Sequence, residues 1–188
     1  MTPAALAISE DRGLSAAALR DAFLVGAEAS IRLGVVLGQR HYDHGFHQTA
    51  TAGCFGAGVA AGRLLDLGPQ RLRMALSLAS TRASGLKAQF GTMGKPYNAG
   101  IAAANGVEAA LLAERGFISC DDGLGAAQGF LATHAATAAD WPAADGFLFE
   151  DIKHKFHACC HGAHAMIEAL QKLTTQRANA PDAVVSIV

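Results

Sequence analysis

The sequence predicts a mainly α-helical protein, with a large partial helical domain over residues 1–145 and the opening of a smaller α+β domain over 146–188. Three observations point there. Alanine-rich apolar stretches recur at helical spacing through most of the chain. Glycine and proline fall where helices must stop and start, at Gly68-Pro69 and at Gly116. Beyond Trp141-Pro142 the pattern changes, and residues 149–158 alternate partly like a strand, with Ile152, His154 and Phe156 on one side.

The elements follow in order. Ser15 is placed to cap a helix carrying Leu19, Phe23, Ile31 and Val35. A loop over 43–48 precedes a helix over about 49–67 that is rich in small residues: Gly53, Ala57, Gly58, Ala61 and Gly62. Gly58 and Gly62 lie four apart on one face, so another backbone can pack very close there. Glycine inside a helix costs about 1 kcal/mol against alanine, so tight packing must compensate. Pro69 suits the first position of the next helix. Leu72, Leu76 and Ala79 give that helix a buried stripe, and Ala83-Ser84-Gly85 ends it. After a loop carrying Lys95, a helix over about 97–115 stops at Gly116. Asp121-Asp122-Gly123 forms a turn before a short helix over about 124–131, and 137–146 reads as a linker. A last helix is expected over 161–173, apolar at Met166, Ile167, Leu170 and Leu173, and a strand-like run over 184–188.

Composition narrows the class. Hydrophobic residues make up 51% of the 188 and charged residues 16%, below the usual quarter, so something must cover part of the surface. Self-association, as a homodimer or otherwise, is the simplest cover. A net charge of −1 leaves no footprint for nucleic acid, and no apolar run approaches a membrane span. Neither nucleic acid nor membrane is therefore an expected partner. Cys54, Cys120, Cys159 and Cys160 form no disulfide framework, the last two being adjacent. The N-terminus lacks a basic region and soon reaches Glu10 and Asp11, unlike a secretory leader. A cytoplasmic location is expected.

Three segments carry the chemistry. His47 ends the run His41-Tyr42-Asp43-His44-Gly45-Phe46-His47, and Lys95 lies in Gly94-Lys95-Pro96-Tyr97-Asn98-Ala99-Gly100. Lys155 opens Lys155-Phe156-His157-Ala158-Cys159-Cys160-His161-Gly162-Ala163-His164. Isolated cations among small residues are what a pocket for a carboxylate requires. Glycines let the ligand approach the backbone, and apolar walls strengthen each charge. His41, His44 and His47 at three-residue steps, or Cys160 and His164 four apart, also offer metal ligands. No acidic residues stand ready to orient such ligands, so no metal is expected, and His41 and His44 read as structural or solvent-facing.

Taken in series, Gly45-Phe46-His47-Gln48-Thr49-Ala50, the glycine-rich run 53–62, Ala83-Ser84-Gly85-Leu86 and Lys95-Pro96-Tyr97-Asn98-Ala99-Gly100 resemble the MmgE/PrpD family. Gly106-Val107-Glu108 and the stretch from Lys155 to Glu168 extend the likeness over nearly the whole chain. The family includes 2-methylcitrate dehydratase, cis-aconitate decarboxylase and iminodisuccinate epimerase. The resemblance implies a helical domain joined to an α+β lid, with the active site between them. It implies a lyase acting on a small di- or tricarboxylate by dehydration, decarboxylation or epimerisation, without metal or organic cofactor. It further implies catalytic roles for His47, Lys95 and Lys155, and places Gly45, Ser84, Cys160 and His161 at the substrate. Lys95 and Lys155 would hold carboxylates while His47 moves the proton. Cys160 stands where decarboxylase-like members carry a histidine. An earlier family segment supplying an aspartate and a histidine, and most of the lid, have no counterpart in these residues. The chain is therefore expected to be weak or inactive alone, the alternative being a non-catalytic, dimerising helical module.

Overall fold

A computed structural model of the chain describes residues 1–134, 140–143 and 145–177. Two compact units divide it, residues 1–150 and 151–188. The first is built from α1 (Thr2–Arg12), α2 (Ala16–Asp43), α3 (Gln48–Leu64), α4 (Pro69–Arg82), α5 (Gly94–Glu114) and the single turn α6 (Phe130–Thr133). The second carries a 3-10 turn, His161–Ala163, running into α7 (His164–Arg177). The mainly α reading holds for the described residues.

The core of the first unit is α3, which packs against α1, α2, α4 and α5. Almost every side chain from Ala50 to Gly62 is buried, whichever way it points. A helix buried on all sides must be apolar all round, and small residues then let its neighbours come close. A methyl group on Gly106 of α5 would meet Ala57 Cβ, the Cys54 carbonyl and the Gly58 nitrogen, all at 2.5 Å. One on Gly26 of α2 would meet the Gly56 carbonyl at 2.5 Å and Ala60 Cβ at 2.8 Å. Dense dispersion contact between backbones replaces the large side chains this core lacks. Phe55, Phe130, Leu33 and Leu37 fill what remains.

Polar clamps then fix the helix ends. Ser15 caps α2, its hydroxyl accepting from the Ala18 N–H at 3.2 Å. Pro69 opens α4 in its first turn, and Gly116 follows α5 at φ 85°. At the α4 exit the Arg82 guanidinium donates to Asn105 Oδ1 at 2.9 Å, and Asn105 Nδ2 donates back to the Arg82 carbonyl at 3.0 Å. This reciprocal pair ties the end of α4 to α5 immediately before the Ser84-Gly85 turn.

Several elements differ from expectation. The sequence reading placed no helix before Ser15, yet α1 spans Thr2–Arg12, with Pro3 in its first turn and Gly13 closing it at φ 62°. Residues 124–129 form turns in place of a helix, and only Phe130 and Leu131 of the expected span are helical, in α6. There the Asp122 carboxylate accepts the Gly125 N–H at 2.6 Å, and Gly123 lies against Ser77. Residues 149–158 form no strand. The Leu148 and Phe149 N–H groups donate to the buried Glu28 carboxylate at 3.0 and 2.9 Å, and the Phe149 ring packs edge-on to Phe23. These contacts hold Leu148–Asp151 as a 3-10 turn. Strand-like pairing among the described residues is limited to a single bridge, Phe46 to Leu86. Within the expected linker, residues 140–143, 145 and 146 are irregular, and Arg32 donates to the carbonyls of Pro142, Ala143 and Gly146. The remainder of the linker and the run over 184–188 lie outside the described residues.

The packing yields a paired test. Gly106→Ala is expected to destabilise the chain by about 1–3 kcal/mol through overpacking. Gly34→Ala, where an added methyl meets nothing within 4 Å, is expected to be neutral or stabilising by up to about 1 kcal/mol. Denaturant unfolding of the two variants beside the parent chain measures the difference.

Candidate active site

Three chain segments meet at one end of α3. The loop before it is anchored by His41, which is fully buried. Its Nδ1 lies 2.6 Å from the His134 carbonyl and its Nε2 lies 2.9 Å from Thr51 Oγ1. The His41 ring stacks on Phe46 at 4.5 Å, which directs the next residue, His47, toward the α4–α5 connection. There the described residues make their one short antiparallel pairing. The His47 N–H donates to the Gly85 carbonyl at 2.9 Å, and the Lys87 N–H donates to the Gly45 carbonyl at 2.8 Å. Gly85 sits at φ 151°, and a methyl group there would collide with Ala50 and press on the Asn98 amide. Only glycine suits a turn that is both left-handed and this crowded.

The His47 side chain is buried, 9% exposed. Asn98 Nδ2 lies 3.3 Å from its Nδ1 and also 3.2 Å from the Leu86 carbonyl. The Phe90 ring meets the His47 ring edge-on, with centroids 4.8 Å apart. Lys95 Nζ lies over the same Phe90 ring, 5.0 Å from its centroid. An imidazole and an ammonium, remote in sequence, thus share one aromatic neighbour. Burial first, and the Lys95 charge second, hold the His47 imidazole below its ordinary pKa of 6.5. Both causes favour the neutral imidazole. Lys95 has no acidic partner among the described residues; nearby Lys87, also without one, donates its ammonium to the Tyr42 carbonyl at 2.8 Å.

Lys95 was expected in a loop, but it lies with Pro96 in the first turn of α5. Proline is tolerated there because its missing N–H would have had no intrahelical partner. Thr92 caps this turn, accepting the Gly94 N–H on its hydroxyl and the Lys95 N–H on its carbonyl. The helix start therefore offers an anion its Lys95 side chain more than free amides.

Of the other expected site residues, Gly45 is at φ 99° beside His47, and Ser84 is exposed at the α4 exit, next to Gly85. Lys155, Cys160 and His161 belong to the second unit and are all exposed. Within that unit the Cys160 carbonyl accepts the Ala163 N–H at 2.9 Å. The His161 ring stacks on His164 at 4.8 Å, and His157 meets His164 edge-on at 5.0 Å. His41, His44 and His47 do not converge as metal ligands. His41 spends both ring nitrogens on protein groups, His44 Nδ1 faces the Arg40 carbonyl at 2.9 Å, and His47 faces Asn98. Among the described residues no group of three or more His, Cys, Asp or Glu is placed to hold a metal ion. Sequence reading did not single out Phe90 or Asn98, although Asn98 lies inside the motif that carries Lys95.

This arrangement, a neutral histidine and an unpaired lysine on an alanine-rich helical scaffold, suits recognition of an organic anion. Residues 1–141 match the MmgE/PrpD N-terminal domain, and the chain belongs to the MmgE/PrpD family. It is 33% identical over 165 residues to cis-aconitate decarboxylase of Aspergillus terreus (strain NIH 2624 / FGSC A1156), covering 81% of this chain and 34% of that protein. It is 32% identical over 180 residues to the cis-aconitate decarboxylase-like protein oryM of Aspergillus oryzae (strain ATCC 42149 / RIB 40), covering 86% and 36%. Against human cis-aconitate decarboxylase, 71 residues align at 38% identity, 38% of this chain and 15% of that protein. The chain spans about a third of the length of the two fungal relatives.

Removing the Lys95 charge is expected to raise the His47 pKa without restoring it fully, because burial remains. An NMR pH titration of the His47 ring in Lys95→Met, compared with the parent chain, reads this directly. An unchanged midpoint would place the two side chains out of electrostatic reach.

Proposed function

We propose that this chain supplies the helical-domain face of a carboxylate-lyase active site. The reaction breaks a C–H or C–C bond beside a carboxylate of a small di- or tricarboxylic acid, giving dehydration, decarboxylation or epimerisation. One observation carries the reading: the Lys95 ammonium and the His47 ring sit on the same Phe90 side chain, with no acidic residue of the described chain neutralising the lysine. In all three reaction types negative charge spreads onto the carboxylate as an enolate-like state forms. A preset ammonium in a partly apolar setting stabilises that charge more in the transition state than in the ground state. The family membership and the likeness to a fungal cis-aconitate decarboxylase support the same reaction class.

In this reading Lys95 grips a substrate carboxylate, and His47 faces the reacting end, flanked by the Gly45 and Gly85 backbone and by Ser84. For Lys155, Cys160 and His161, exposed in the second unit, the family resemblance alone supports a substrate-binding role. No metal or organic cofactor takes part. The four cysteines are all free, in keeping with a reducing cytoplasm, and no described helix is long and apolar enough to cross a membrane. Exposed apolar side chains such as Met93, Tyr97 and Ile118 favour self-association, with a homodimer the simplest form.

Titration with cis-aconitate, 2-methylcitrate and iminodisuccinate, followed by NMR at His47 and at the Gly94 and Lys95 amides, tests the assignment without requiring turnover. Saturable shifts are expected with at least one acid and none with the trimethyl ester of cis-aconitate. Lys95→Ala is expected to weaken binding about 10–100-fold, the worth of one charge-assisted hydrogen bond. Equal response to acid and ester, or unaltered affinity in Lys95→Ala, would refute the proposal.

A further inference from the structure

We propose that Asn98 is a positioning residue that holds His47 in the neutral tautomer with its proton on Nε2, so that His47 meets a carboxylate as a hydrogen-bond donor and not as a base. The geometry stands by itself, while the catalytic consequence rests on the function proposed above.

The Leu86 carbonyl decides which way the Asn98 amide faces. It can only accept, and the nearby amide atom lies 3.2 Å away. Turned over, the amide would set Oδ1 against another oxygen, so the atom there is Nδ2. That nitrogen carries two hydrogens. One serves Leu86, and the other points to His47 Nδ1 at 3.3 Å. Nδ1 must then accept, and in a neutral imidazole the proton resides on the opposite nitrogen. Packing holds the amide in place, and its orientation is set by the Leu86 carbonyl because its N and O ends are nearly the same shape. Asn98 is buried, 6% exposed, and a methyl group on Gly85 would already lie 3.4 Å from Asn98 Cγ and 3.5 Å from Oδ1.

The same contact resists the imidazolium. A second proton would have to sit on Nδ1, facing the Asn98 N–H, donor against donor. Burial and Lys95 act in the same direction. His47 Nε2 has no protein hydrogen-bond partner among the described residues, so its N–H is available to a ligand. Neutral imidazole gives up that proton only by becoming imidazolate, which is far too basic to form readily near neutral pH. His47 therefore contributes as a fixed donor to a carboxylate or enolate oxygen, beside the Lys95 ammonium. The proton-transfer role expected of His47 from the sequence passes to another group. The His47 Nε2–H beside the Lys95 ammonium favours an anionic ligand rich in oxygen.

Two-bond 1H–15N correlation spectra of the labelled, ligand-free chain at neutral pH read the tautomer. A protonated-type Nε2 with an unprotonated-type Nδ1 is expected. The reverse pattern, or an even mixture, overturns the proposal. Asn98→Asp, which presents an acceptor, is expected to draw the proton to Nδ1 and raise the His47 pKa. Asn98→Ala is expected to leave a mixture. Wild-type tautomer in both variants would remove Asn98 from the role, and if neither variant folds, the parent spectrum alone decides. Because no ligand is present, failure here is distinguishable from failure of the carboxylate titration.

Discussion

Where α3 crosses α5, no room remains for even one methyl group on Gly106, and the site's geometry follows from that closeness. The first turn of α3 begins immediately after His47, and the first two turns of α5 carry Lys95 and Asn98. Bringing the two backbones into contact brings Asn98 within hydrogen-bonding range of His47, and Lys95 onto the Phe90 ring that His47 also meets. Larger residues along the crossing would hold the helices apart by ångströms, and a 3.3 Å contact between Asn98 and His47 would be lost. Glycine weakens a helix by about 1 kcal/mol per residue. The core recovers this through dense packing, and the site gains a rigid mount.

A second layer of constraint orients the loop within that mount. His41 is buried with both ring nitrogens satisfied, so it behaves as a pin and not as a reactive group. Burial lowers its pKa from the ordinary 6.5, so the unfolded chain binds the proton more readily and stability falls as pH drops below about that value. Gly85 and Asn98 complete the cradle from the other side. The result is an imidazole with one nitrogen committed to protein and one presented outward. Lys95 stands at the same aromatic ring with its charge uncompensated by any described acidic residue.

Much of this was legible in the sequence because punctuation is local chemistry. Ser15, Pro69 and Gly116 mark helix ends for reasons contained within a few residues. The small-residue character of α3 announced close packing, although Gly26 and Gly106, two of the glycines that pack tightly against it, come from its neighbours. What escaped depended on partners far along the chain. The alternation over 149–158 resembles a strand, but Glu28, more than a hundred residues earlier, takes the Leu148 and Phe149 N–H groups. Lys95 looked like a loop residue because it precedes proline, and only the first-turn exemption puts it in α5. Asn98 drew no attention because its importance lies in Leu86 and His47, which the fold alone brings to it. His47 and Lys95 meet the same Phe90 ring, while the relation of His47 to Asn98 required coordinates.

The candidate site depends on one spatial fact, the gathering of the His47 and Lys95 side chains around Phe90. Nuclear Overhauser spectroscopy of the free chain measures it without any ligand or assay. Cross-peaks are predicted from the Phe90 ring protons both to the His47 ring and to the terminal methylene of Lys95. A Phe90 ring showing neither would contradict the site, whatever the chain is later found to bind.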